Sequence, residues 1–251
     1  MLKVNLLYMF KVFKFGGASI KDAQSIKHII NLIKDYEDCK LVIIFSAMGK
    51  VTNMLEDVVD AYILNTGNPS KYLQKVKDFH NTILDDLFKE HSSIFDEVNN
   101  LFIEIEWVIE EDPHQSYSYY YDQIVSIGEL ISSKIMSAYL ADNGFDNKWV
   151  DVRDVMRTDN NYRNARVNWD ITSSLVKKHI IHNCSITQGF IGCTSDNFTT
   201  TLGREGSDYT AAIFGWGGDH AEHADHRQTT TAEARRRVAV AGPGEARREG
   251  R

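Results

Sequence analysis

The run "LVIIFSAM" at residues 41–48 constrains the fold more than any other stretch. It is short, β-branched and without polar alternation, the mark of a strand covered on both faces. Such a strand calls for helices above and below a parallel sheet, and the rest of the chain supplies that alternation. "FKVFKF" (10–15) reads as a strand that "GGAS" breaks. Ser19 and Asp22 then read as a capping box for a helix with Ile20, Ala23, Ile26, Ile29, Ile30 and Ile33 on its apolar side. A helix through Leu55, Val58, Val59 and Tyr62 follows residue 49, residues 70–111 read as helical with a break near "HSS", and 118–141 as one long helix. "KWVDV" (148–152) and "CSITQGFIG" (184–192) are further strands, "WDITSSLVKKHI" lies between them as a helix, and 207–215 begins another helix with Ser207 as its cap. The expected fold class is α/β: a three-layer αβα sandwich with a mainly parallel central sheet.

Parallel sheets bind ligands beyond the carboxyl ends of their strands. Four loops fall there: "FGGAS", "SAMGKVTN", "DVRDVMRT" and "QGFIG…TLGREGSD". "KFGGAS" puts Lys14 at a strand end, with Gly16 and Gly17 in a turn that lets an anion approach backbone N–H groups. By itself such a turn is structural more often than not, and neither it nor "SAMGKVTN", with Val51 after the lysine, is a Walker P-loop. "TLGREGSD" sets Arg204 where a carboxylate can be gripped in two-point fashion and Asp208 where it can orient a lysine or meet a metal. On spacing alone it serves equally as a surface turn with an ordinary ion pair. "SIGEL" places Glu129 in an otherwise apolar helix, where it either faces solvent or needs a partner such as a substrate ammonium.

Composition narrows the function classes. At 251 residues, 43% apolar and 25% charged, the chain has the make-up of a globular protein with a substantial core. A net charge of −7 argues against general nucleic-acid binding. No run approaches the length of a membrane helix, so no membrane partner is expected. Cys39, Cys184 and Cys193 share no CxxC spacing and read as free thiols of a reducing cytoplasm.

In combination the motifs are more specific. "KFGGAS", "SAMGKVTNML", "SIGELIS", "VDVRDVMRTD" and "ITQGFIG…TTTLGREGSDYTAA" occur in the order and spacing of the aspartate kinases, which the chain resembles from about residue 10 to 215. The resemblance implies an amino acid kinase fold and transfer of the γ-phosphoryl of ATP, with Mg²⁺, to the side-chain carboxylate of L-aspartate, the step that opens the routes to lysine, threonine and methionine. It implies catalytic roles for Lys14 and Asp208, aspartate contacts for Ser46, Thr52, Glu129 (ammonium) and Arg204 (carboxylate), and phosphate contacts for Gly16, Gly17, Gly206 and Ser207. No dedicated metal ligands are implied. The partners would be L-aspartate and MgATP in a cytoplasmic enzyme, with a homodimer possible. Ala18 and Glu205 depart from the family's commoner Thr and Gly. The alternatives are another amino acid kinase, or a catalytically silent fragment that binds substrate or pairs subunits.

From Trp216 onward the character changes: residues 216–251 hold Arg, Ala and Gly but no Lys, Leu, Ile, Phe or Asn. The expectation is a catalytic domain over 1–215, incomplete on its nucleotide side, followed by a low-complexity tail that is disordered or foreign to the domain. His220, His223 and His226 in "DHAEHADH" have the spacing of a helical metal site, though a solvated charged run explains them as well.

Overall fold

The computed structural model describes residues 10–36, 39–219 and 239–240. Its centre is a parallel sheet. Strand β1 (Phe10–Phe15) pairs in register with β2 (Lys40–Phe45), from Phe10 opposite Lys40 to Phe15 opposite Phe45. On its other side β2 pairs with β4 (Cys184–Gln188), and β4 pairs with the two-residue β3 (Lys148–Trp149). A short strand, Ala239–Val240, runs parallel beside Phe13 and Lys14. Residues 41–45 of β2 are each no more than 1% exposed, as a strand covered on both faces requires.

The helices divide into two layers. Strand β1 leads into α1 (Ala23–Ile33), and β2 into α2 (Val51–Ile63), α3 (Pro69–Leu87), α4 (Ser93–Glu110) and α5 (Tyr117–Asp142). Helix α5 lies against β2, β3 and β4, while α2 packs on both α3 and α5. On the opposite layer α6 (Trp169–His179) packs on α7 (Gly206–Asp219), which lies across β1 and β2. Parallel neighbours such as β1 and β2 need crossover connections, and helices supply them. A small antiparallel ribbon, β5 (Ile191–Cys193) with β6 (Thr199–Thr201), carries the chain from β4 to α7.

Local chemistry sets the helix starts. Asp22, Asn68, Ser116 and Asn168 each accept a hydrogen bond from the N–H three residues on, satisfying a donor the helix leaves open. The first of these corrects the sequence reading. Residues Gly17–Ile20 form a 3-10 turn, and α1 begins after Asp22 rather than at Ser19. The six apolar residues expected on its inner side are all buried. Strand β3 is also shorter than expected, because Val152–Asp154 turn into a 3-10 helix. Gln188 holds that bend: its amide accepts from the Val152 N–H at 2.7 Å and donates to Ser133 at 2.7 Å.

Contrary to the sequence reading, helix α5 is long and apolar enough to cross a membrane by composition; 78% of that stretch is buried inside the fold, as in the core helix of a globular domain. Its buried Ser126, Gly128, Ser132 and Ser133 let neighbours approach closely. A Cβ on Gly128 would stand 3.0 Å from Val51 and 3.1 Å from Leu55, so glycine is what permits the α2–α5 crossing. That crossing brings Thr52 and Glu129 to one place. Helix α7 runs on to Asp219, past the change in composition at Trp216, while His220, His223 and His226 lie outside the described residues.

Candidate active site

The carboxyl ends of β1, β2 and β4 open onto a cavity of 440 Å³, within the range of small-molecule sites. Lys14 reaches it from the end of β1. Its Nζ lies 3.0 Å from Asp208 Oδ1 in the first turn of α7, with the lysine 14% and the aspartate 45% exposed. The two loops after β1 and β2 are zipped together beneath it. Ser46 N–H donates to Phe15 O, and Gly49 N–H to Gly17 O. A Cβ on Gly17 would stand 2.6 Å from the Ala47 carbonyl oxygen, so no larger residue fits between the loops. Ser46 and Thr52 line the cavity from this side.

Glu129 enters from α5 and is 3% exposed. Burial pushes its carboxyl up to about 8, against the opposing pull of the Ala47 N–H and the Lys14 charge. The Ala47 bond serves one oxygen; Oε2 is buried and has no hydrogen-bond partner. A carboxylate so placed is poised for a cation that is not part of the protein.

The third wall is the turn from β6 into α7. Gly203 and Glu205 both take positive φ, +76° and +58°, throwing Arg204 out at the cavity edge. Arg204 is exposed and makes no ion pair among the described residues. Gly206 and Ser207 are wedged against the loop after β4. A Cβ on Gly206 would meet the Phe190 ring at 2.7 Å, and one on Gly189 would meet Ser207 at 2.5 Å. The positive end of α7 thus faces the Lys14 side of the cavity. Within that end the Gly206 N–H donates to Gly203 O and the Asp208 N–H to Glu205 O.

Of the residues singled out from sequence, Lys14, Ser46, Thr52, Glu129, Arg204, Gly206, Ser207 and Asp208 line this one cavity. Gly16 and Gly17 do not line it. Gly16 lies beside it, its Cβ position 3.7 Å from Lys14 Nζ, and Gly17 packs between backbones. Among the described residues no group of three or more His, Cys, Asp or Glu is placed to hold a metal ion.

The sequence reading missed Tyr121, Arg163, Phe190 and Thr201, which also line the cavity. It missed Asp122 as well. This fully buried carboxylate accepts from Arg163 N–H (2.9 Å), Thr201 N–H (2.9 Å) and Thr201 Oγ1 (2.7 Å), tying the 159–165 loop to β6. Burial still leaves its carboxyl raised to about 6. Only the polar aspartate in an apolar helix hinted at this clamp.

Comparison with known proteins agrees with the geometry. Residues 9–218 match the amino acid kinase family. The lysine-sensitive aspartokinase 3 of Escherichia coli is 30% identical over 206 residues, which is 80% of this chain and 45% of that protein. Two crystal structures of E. coli aspartokinase III superpose on 84% of this chain and 47% of theirs at 28% identity. One, with lysine and aspartate, gives a TM-score of 0.77; the other, with aspartate and ADP, gives 0.76. The chain therefore spans a little under half the length of these aspartokinases. With the sheet, the crossovers and over 80% of its own length accounted for in this way, the chain belongs to the amino acid kinase family.

Proposed function

We propose that this chain is the catalytic domain of an aspartate kinase, transferring the γ-phosphoryl group of ATP to the side-chain carboxylate of L-aspartate. One observation carries the reading: the buried, unpartnered Glu129 oxygen lines the same cavity as Arg204 and Lys14. An amino-acid acceptor needs an anion for its ammonium, a cation for its α-carboxylate and charge neutralisation where its side chain meets phosphate. These three residues offer that set in one 440 Å³ space. The E. coli aspartokinase III structures hold aspartate, and one holds ADP, which supports an acidic amino acid and a nucleotide as the ligands here.

The chemistry asks little of the protein beyond placement. The acceptor carboxylate is already ionised, so no general base is needed. One carboxylate oxygen forms a bond to the γ-phosphorus as the bond to the β,γ-bridging oxygen breaks, and ADP leaves. Ser46 and Thr52 orient the acceptor side chain. Lys14 spreads the charge that builds on the transferring group, and Asp208 fixes the Lys14 ammonium in place. Ser207 and the α7 N-terminus face the phosphates, with Gly16 and Gly17 shaping the turn beside them. Mg²⁺ would enter with ATP and neutralise phosphate charge there, and Asp208, beside Lys14, is the carboxylate that would help hold it. The catalytic unit is assigned to residues 1–215. A homodimer remains part of the proposal.

The test is ADP formation from MgATP by the full chain with L-aspartate, L-glutamate or N-acetyl-L-glutamate as acceptor. Dependence on L-aspartate alone supports the proposal. Turnover with another acceptor makes the chain a different amino acid kinase. Aspartate binding without turnover makes it a silent binding domain.

A further inference from the structure

Arg163 is one of three side-chain-bearing cavity residues with positive φ, beside Phe190 and Glu205, and nothing in the chemistry above uses it. Its φ is +66°, in the left-handed region that side-chain-bearing residues other than Asn and Asp seldom adopt. Asn161 and Asn164 stand nearby in the sequence and would tolerate that conformation better, so backbone preference does not explain an arginine here. Strain persists where surrounding structure enforces it. Here Asp122 clamps the Arg163 N–H to the Thr201 N–H, and the Arg163 carbonyl closes on the Gly203 turn, 3.2 Å from where a Cβ would be. The loop bearing Arg163 is thereby locked to the loop bearing Arg204.

The side chain is presented with equal care. Its guanidinium lies 4.1 Å above the Tyr121 ring, a cation–π contact that fixes its plane at the cavity wall. Among the described residues its one ion pair is with Glu56, at 3.4 Å, with the two side chains 42% and 37% exposed. A pair so long and so wet holds weakly, and a better-placed carboxylate displaces it.

We propose that Arg163 is a specificity-determining residue that exchanges Glu56 for the α-carboxylate of the amino acid substrate and grips it together with Arg204. The inference rests on the aspartate reading above. It has an unusual signature, because the two partners of one ion pair then act with opposite sign. Glu56 competes with substrate for the guanidinium, whereas Arg163 binds it.

Equilibrium binding of L-aspartate to the full chain, measured by calorimetry, tests this. Arg163→Gly should weaken binding about tenfold, the worth of one charge-assisted hydrogen bond. Its thermal midpoint should hold or rise, since glycine accepts positive φ without strain. Glu56→Gln should leave binding equal or tighter. The inference is overturned if Arg163→Gly binds as tightly as the native chain, if Glu56→Gln weakens binding, or if the loss in Arg163→Gly comes with a lower midpoint, the mark of a structural role. If the native chain binds no L-aspartate, the aspartate reading fails and takes this inference with it; an unaffected Arg163→Gly beside a binding native chain removes the inference alone.

Discussion

If the proposed aspartate site is correct, Glu129 makes aspartate binding a proton-releasing event. Burial holds its carboxyl at about 8, so at pH 7 it is mostly protonated. A substrate ammonium against the unpartnered oxygen favours the ionised form and draws the carboxyl back toward or below its ordinary value. Binding at pH 7 should then release most of a proton from Glu129, and much less at pH 9, where the group is largely ionised already. Calorimetric titration of L-aspartate in buffers of differing ionisation enthalpy reads this number directly. Glu129→Gln should abolish the release and weaken binding about tenfold to a hundredfold, since a charge-assisted hydrogen bond is lost. Stability follows the same linkage. The folded-state carboxyl is raised from 4.5 to about 8, so the folded chain holds the proton more tightly than the unfolded one. Stability should therefore fall as pH rises from about 4.5 to 8, by on the order of 4 kcal/mol in the empty protein, and less in Glu129→Gln. A release at pH 7 that is near zero, or that survives Glu129→Gln, would refute the reasoning.

Other residues give independent expectations. Lys14→Ala should lower kcat strongly while the KM for aspartate changes little, and Arg204→Ala should raise that KM with a smaller effect on kcat; unchanged aspartate kinetics in Arg204→Ala would remove its assigned role. Gly17→Ala drives a methyl to 2.6 Å from the Ala47 carbonyl and should destabilise the fold by about 1–3 kcal/mol, read from chemical denaturation. Asp122→Ala strands the Arg163 and Thr201 N–H groups and should cost about 2–4 kcal/mol; a neutral outcome would mean that the clamp does not hold the two loops.

What could be read in advance divides along the range of the interaction. The buried run at 41–45 announced a sheet covered on both faces, because solvent exclusion acts on each residue of the strand alike. Glu129 stood out as a charge in an apolar helix, though its solvent-facing alternative fell only to the α2–α5 crossing that Gly128 permits. Local competition misplaced the start of α1, where Ser19 and Asp22 are both capping residues and only Asp22 receives the N–H of Ser25. Beyond an aspartate in an apolar helix, nothing in the sequence signalled the grouping of Tyr121, Asp122, Arg163 and Thr201. These residues meet across separations of dozens of positions, through hydrogen bonds that no periodicity encodes.

The proposed phosphoryl transfer makes a mixed anhydride of a carboxylate and phosphate, which hydroxylamine converts to a hydroxamate. Incubating the full chain with MgATP, L-aspartate and hydroxylamine, and counting aspartyl hydroxamate against ADP, tests the central claim most directly. The account predicts one hydroxamate for each ADP, and both products strongly and equally reduced in Lys14→Ala. ADP without hydroxamate, or aspartate bound with no ADP formed, would contradict it.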